Sequence, residues 1–295
     1  MTTNAAVPSR QPALFLGHGS PMNAIEDNRH SRAWAELGRE LARNKPEAIV
    51  AVSAHWYGNA TAVTAMPDPR TIHDFYGFPQ ELFDVEYQAP GSPELAERIG
   101  DVLAPDWVGQ DRDSWGLDHG TWSVLAHLMP AADVPVVQLS INAEKPLDYH
   151  LELGRKLAAL RDEGVLVLGS GNVVHNLRAV DWANPGGGYD WADRFDEAAR
   201  EIMLGDPSTI GELRGHRDWR LAVPTPDHFL PLAYIAGAAG DVAGSRDAGG
   251  AGEAAGGAAD SVEGRAKGGA GAGGVRVIDE GRAMGSLSMT GYLYE

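Results

Sequence analysis

Hydrophobic positions along the 295-residue chain fall into two kinds of run. Short unbroken apolar runs bounded by Gly, Pro or charge read as strands buried on both faces: 13–16 (ALFL), 48–53 (AIVAVS), 134–139 (VPVVQL) and 165–168 (VLVL). Shorter strands are expected at 62–65, 275–278 and 286–289. Apolar residues recurring every third or fourth position predict helices at 31–43, 93–103, 121–128, 147–161, 190–204 and 228–235. Ser31 is the expected N-cap of the first helix and Asp227 of the last. Strands alternating with helices predict an α/β fold: one domain over 1–295, with a mostly parallel or mixed central sheet and helices on both faces. The pattern breaks once. Residues 237–274 are almost all Gly, Ala and small polar residues, too poor in apolar surface to offset their ordering entropy, and are expected to form a flexible insertion.

Composition narrows the classes. Hydrophobic content of 43% and charged content of 22% are ordinary for a globular protein. No apolar run approaches the roughly 18 residues of a membrane span. The opening MTTNAAVPSRQ lacks the basic start and apolar stretch of a secretory signal, so a cytoplasmic location is expected. With no cysteine, thiolate metal sites and cysteine nucleophiles are excluded. A net charge of −17, with the Lys and Arg scattered, argues against nucleic acid and membrane surfaces as partners. A monomer or small homo-oligomer is expected.

Candidate chemistry comes from the ten histidines. His18 and His55 each follow the end of an expected buried strand by two residues, and His175 follows another by a short Gly-rich turn. In open α/β sheets, that carboxyl edge is where ligands bind. A single histidine there is ordinarily a loop residue held by hydrogen bonds; three at one edge point to convergence. His18 sits between two glycines, which suggests that something comes close to the backbone. His119 also precedes a glycine, and His228 follows a rigid Pro-Thr-Pro entry. His127 and His150 lie in helix patterns, and His30 and His216 are expected on the surface. His73, Phe75 and Tyr76 form an aromatic loop that could wall a substrate, as could Trp56. Several histidines and no cysteine favour a nitrogen/oxygen site for a divalent first-row metal, without choosing among Fe, Mn and Zn. No nucleophile elbow or phosphate loop is present.

The motifs LFLGHGSPMN, VSAHW, IHDFYGFP, DHGTW, VQLSI, SGNVVHNL, TPDHFLPL and GSLSM occur in this order. Together they resemble the class III extradiol ring-cleavage dioxygenases, in the branch that contains the 4,5-DOPA dioxygenases. The resemblance runs from about Pro12 to Met289 and is broken only by the Gly/Ala stretch. It implies His18, His55 and His228 as metal ligands and His175 as the acid/base residue, close enough to touch the metal. It also implies His119 as a pocket residue bonded to substrate oxygen or dioxygen, hence catalytic in that sense. The implied reaction opens the ring of a catechol with O2 to a muconic semialdehyde, with Fe(II) as the working ion and Zn(II) a possible occupant. Non-haem iron oxygenases commonly use two histidines and a carboxylate. Three neutral imidazoles here would leave a +2 site that suits a doubly deprotonated catechol, and Asp74 and Asp227 are the candidates if a carboxylate does bind. Two rival readings use the same residues: a zinc hydrolase with His175 as base, and a non-catalytic metal-binding protein on the same fold.

Overall fold

The computed structural model describes residues 9–240 and 274–295. Among the described residues ten strands are formed: β1 (Ala13–Gly17), β2 (Ala48–Gly58), β3 (Ala62–Thr64), β4 (Gly109–Asp111), β5 (Val136–Asn142), β6 (Val165–Gly171), β7 (Val275–Ile278), β8 (Arg282–Ala283), β9 (Leu287–Ser288) and β10 (Gly291–Tyr294). The helices are α1 (Arg29–Leu41), α2 (Gln80–Phe83), α3 (Pro93–Leu103), α4 (His119–Leu128), α5 (Leu147–Arg161), α6 (Asp190–Leu204), α7 (Trp219–Ala222) and α8 (Leu230–Ala238). Eight strands form one mixed sheet in the order β4-β3-β5-β2-β6-β1-β10-β7. Its centre, β5-β2-β6-β1, is parallel, and the C-terminal strand β10 adds antiparallel to β1.

The unbroken apolar runs are explained by two dry faces. Phe15, Val50, Val52, Val137 and Val167 point into a core closed by α3, α5, α6 and α8. Their chain neighbours Leu14, Leu16, Ile49, Ala51, Val136 and Leu168 point into the opposite core, closed by α1 and α4 around Trp34 and Trp122. With both faces covered, both sides of the pleat are largely apolar in these central strands, and polar exceptions such as Ser53, Gln138, Ser140 and Ser170 are buried. The single α/β domain with helices on both faces is therefore as expected.

Several boundaries differ. Helix α1 is capped by Asn28, and Ser31 is the returning partner of that capping box. Asp118 caps α4, so His119 is its first residue. Helix α8 begins at Leu230 and Asp227 does not cap it. Strand β2 runs past Ser53 to Gly58, resuming its pairing with β5 after a register shift between Val52 and Tyr57. His55 therefore lies within the strand rather than beyond its end. The sequence turns polar there because the chain leaves the core, while its backbone still pairs. Of the Gly/Ala stretch, residues 241–273 lie outside the described residues. Its first residues belong to the core: Gly237 and Ala238 finish α8, and a side chain on Gly237 would sit 2.1 Å from the Leu151 carbonyl.

Candidate metal centre and active site

Five histidines meet at the carboxyl edge of the parallel strands. His18 follows β1 directly, its N–H donating to the Gly171 carbonyl of β6 and its carbonyl accepting from Asn23. The glycines that flank it do not admit a ligand. They admit the C-terminal segment: a Cβ on Gly17 would lie 2.7 Å from the Met289 Cα, and one on Gly19 (φ +60°) 2.5 Å from the Met289 Sδ. His228 is held at the same edge by its carbonyl, which accepts from the Asn172 N–H at 2.8 Å. Gly171 makes this possible, because its Cβ would sit 2.2 Å from that oxygen. His175 is fixed by its own N–H to the Ala222 carbonyl.

The rings are packed together. His55 and His119 have centroids 3.9 Å apart, and His18 lies 5.0 Å from His55 and 5.2 Å from His228. His175 stacks flat on His228 at 3.5 Å. The ligand atoms of His18, His55 and His119 all lie within 4.8 Å of one another, as do those of His175, Asp227 and His228.

Hydrogen bonds decide which nitrogen carries the proton in His18, His119 and His228. Ser170 donates its only hydroxyl proton to the Gly120 carbonyl, so toward His18 Nδ1, 3.0 Å away, it can only accept. His18 is then protonated at Nδ1 and bare at Nε2. Asp74 accepts from His119 Nδ1 at 2.9 Å and faces His55 Nδ1 at 3.3 Å. Asp227 accepts from His228 Nδ1. Each carboxylate thus sits at the outer nitrogen of a histidine, an arrangement known to orient metal-binding imidazoles. The Nε2 atoms of His18 and His55 face each other at 3.1 Å. Two nitrogens bound at roughly 2.1 Å to one tetrahedral or octahedral ion stand roughly 3–3.4 Å apart. The donor set fits a divalent cation, and His18, His55, His119, His175 and His228 are the residues that could hold it.

Electrostatics agree. Burial, reinforced by the neighbouring imidazoles, pushes His18 and His228 well below the ordinary histidine range. His55 is lowered to about 3 by burial and by His119, against the pull of Asp74. Burial lowers His175 to about 4. Burial would raise Asp74, but the His119 hydrogen bond and charge hold it down to about 2. At pH 7 the imidazoles of His18, His55, His175 and His228 are neutral and the Asp74 carboxylate is ionised.

Among the described residues, the His175 ring alone of the five has no hydrogen-bond partner. Phe75 stands edge-on to His119 at 5.5 Å. His73 is tied to the Val85 carbonyl and packed on Trp122, and Trp56 is stacked on Trp115. Tyr76 is 92% exposed, turned to solvent as the chain reverses at Gly77 (φ +78°), so it walls nothing. The remaining histidines stay outside the cluster. His150 is buried against Tyr234, His127 bonds the Asn23 carbonyl, and His216 packs on Phe195. His30, expected on the surface, is largely covered and paired with Asp279. Sequence reading missed Ser170 and Asp118. The signal for Ser170 was a buried serine inside an apolar strand. Asp118 caps α4 and is raised to about 6 by burial.

Residues 12–250 match the family described as the catalytic LigB subunit of aromatic ring-opening dioxygenase. The chain is 52% identical over 234 residues to the 4,5-DOPA dioxygenase extradiol of Escherichia coli strain K12, covering 78% of this chain and 86% of that one. To the 4,5-DOPA dioxygenase extradiol of Beta vulgaris it is 40% identical, covering 77% and 87%. A crystal structure of an uncharacterized protein from Escherichia coli K12 superposes with a TM-score of 0.76 at 42% identity, covering 97% of this chain and 100% of that chain.

Proposed function

The chain belongs to the LigB family of extradiol ring-opening dioxygenases, and on that premise we propose that it cleaves a DOPA-like ortho-diphenol beside its two hydroxyls, adding both atoms of O2 to give a muconic semialdehyde. The observation that carries this reading is the pair of converging Nε2 atoms of His18 and His55 at 3.1 Å, with Ser170 behind the one ring and Asp74 behind the other. His18, His55 and His228 would hold the metal, Fe(II) for ring cleavage, and Zn(II) suits the same donors. When bound, such an ion lowers the pKa of the diol and gathers the diol and O2 at one centre. The motif resemblance gives the third ligand position to His228, while the closest approach of donor atoms favours His119.

The chain's own groups supply the rest. Ser170, Asp74 and Asp227 keep the Nδ1 protons in place, so the Nε2 lone pairs are aimed before substrate arrives, at no later reorganisation cost. His119, with Nδ1 bonded to Asp74, offers a bare Nε2 to a substrate hydroxyl. His175 is neutral at pH 7, unrestrained by any ring hydrogen bond and half-buried. It can take one phenolic proton and return it to the oxygen that is released as the ring opens. Phe75 gives the aromatic ring an apolar edge to lie against.

The test is oxygen uptake by anaerobically iron-reconstituted protein offered a catechol panel. Uptake with a yellow product is expected; no uptake with iron confirmed bound overturns the reading and favours hydrolysis or binding alone. Metal stoichiometry of His228→Ala against His119→Ala decides the third ligand: the variant that loses the ion names it.

A further inference from the structure

Beside the histidine cluster lies a cavity of about 330 Å³ whose wall is mixed in an unusual way. Trp219, Phe229 and Leu147 make it apolar, Lys145 and Arg214 supply two cations, and no Asp or Glu lines it. In a chain of net charge −17, a cavity with two positive groups and no negative one is not what random placement gives. Among the described residues, neither Lys145 nor Arg214 forms an ion pair, whereas Arg98, Arg194, Arg276 and Arg282 all do. Lys145 is instead steadied over the Tyr149 ring at 5.3 Å, leaving its ammonium free to bind. Lys145, Pro146 and Leu147 of the lining also form the amino end of α5, and Pro146 offers no side-chain cap to its free N–H groups. Asp148 in the first turn of α5 offsets the partial positive charge of that helix end, so the two side-chain cations are what distinguishes the cavity.

None of the five histidines lines the cavity, but its wall is built from the same chain segments that carry two of them. Tyr57 in its wall follows His55 by two residues in β2, and its hydroxyl lies close enough to Asp227 for that charge to act on it, after burial. Pro226 and Phe229, also in the wall, bracket Asp227 and His228. A ring bound at the histidines can therefore send a substituent into this cavity.

We propose that Lys145 and Arg214 form the subsite for a substrate carboxylate, so that the substrate class is an ortho-diphenol carrying an acid on a short apolar arm. The inference rests on the ring-cleaving reading given above. Since no acidic residue lines the cavity, the amino group of a DOPA-like molecule is not recognised there. 3-(3,4-Dihydroxyphenyl)propanoate serves as well as DOPA, and dopamine serves poorly. A charge-assisted bond to each cation makes the preference for acid roughly tenfold or more.

The experiment compares DOPA, 3-(3,4-dihydroxyphenyl)propanoate, dopamine and 4-methylcatechol with wild type, Lys145→Gln, Arg214→Gln and the double variant. The ratio of kcat/KM for the two acids over 4-methylcatechol is expected to fall roughly tenfold in the double variant, through KM rather than kcat. An unchanged ratio overturns the proposal. A second measurement needs no turnover: titration of the protein with 3-phenylpropanoate and with its neutral amide. Wild type is expected to favour the acid and the double variant to bind both alike. Acid-selective binding by a protein that consumes no O2 with any catechol keeps the subsite and removes the dioxygenase reading. Turnover of 4-methylcatechol with no acid preference in either assay removes the subsite and keeps the dioxygenase.

Discussion

Replacing Ser170 by alanine deletes one oxygen and strands two buried groups. His18, 1% exposed, loses the acceptor for its Nδ1 proton, and the Gly120 carbonyl loses its donor. Each unmet buried group costs about 1–3 kcal/mol. The sum, about 2–6 kcal/mol, lowers the melting temperature of a chain this size by roughly 3–10 °C. The same change frees the His18 ring to move its proton to Nε2, the nitrogen that faces His55, so affinity for a divalent ion falls roughly 10- to 100-fold. The assay is a chelator-competed titration with Co(II) or Zn(II), together with thermal unfolding of the metal-free protein. Ser123→Ala is the control: its hydroxyl is equally buried but has no hydrogen-bond partner, so its removal should be neutral or stabilising. Wild-type melting and wild-type metal affinity in Ser170→Ala would refute the tautomer argument, as would an equal cost in Ser123→Ala.

Further outcomes follow from the same geometry. His175→Phe should keep its metal and lose turnover by roughly 10²- to 10⁴-fold, and a near-wild-type rate removes His175 from proton transfer. The lowered pKa values of His18, His55, His175 and His228 mean that below about pH 6.5 the unfolded chain takes up protons that the native state refuses. The metal-free protein should therefore lose stability steadily from pH 6.5 toward the range near 3–4 where His55 and His175 titrate; a urea midpoint that is flat between pH 7 and pH 5 contradicts this. Gly17→Ala puts a Cβ 2.8 Å from the Ser288 carbonyl and against the Met289 backbone, neither of which can swing away. A loss of about 1–3 kcal/mol or more is expected in denaturant unfolding, and a loss under about 0.5 kcal/mol would mean that the C-terminal segment yields.

The sequence by itself determined the layered fold. A strand covered on both faces is apolar on both sides of its pleat, and β1, β2, β5 and β6 announced themselves by such nearly unbroken runs. The sequence also marked the histidines, because imidazoles placed at or near the ends of such strands are out of keeping with their surroundings. What it could not disclose were relations between distant segments. His18 and Ser170 are 152 residues apart, so the bond that fixes the tautomer exists only once β1 lies beside β6. The glycines around His18 signalled a close approach without saying that Met289 was what approached. Asp74 and Asp227 were visible as nearby carboxylates, but only the packed rings show them at the outer nitrogens. His55 seemed to lie beyond its strand because polarity changes where the core ends, whereas pairing continues as far as backbone partners last. Lys145 and Arg214 belong to segments with no shared pattern, and tertiary structure alone puts them in one wall. Periodicity records which side of an element is dry; the identity of a neighbour is set by which surfaces pack, and that is decided by the whole chain at once.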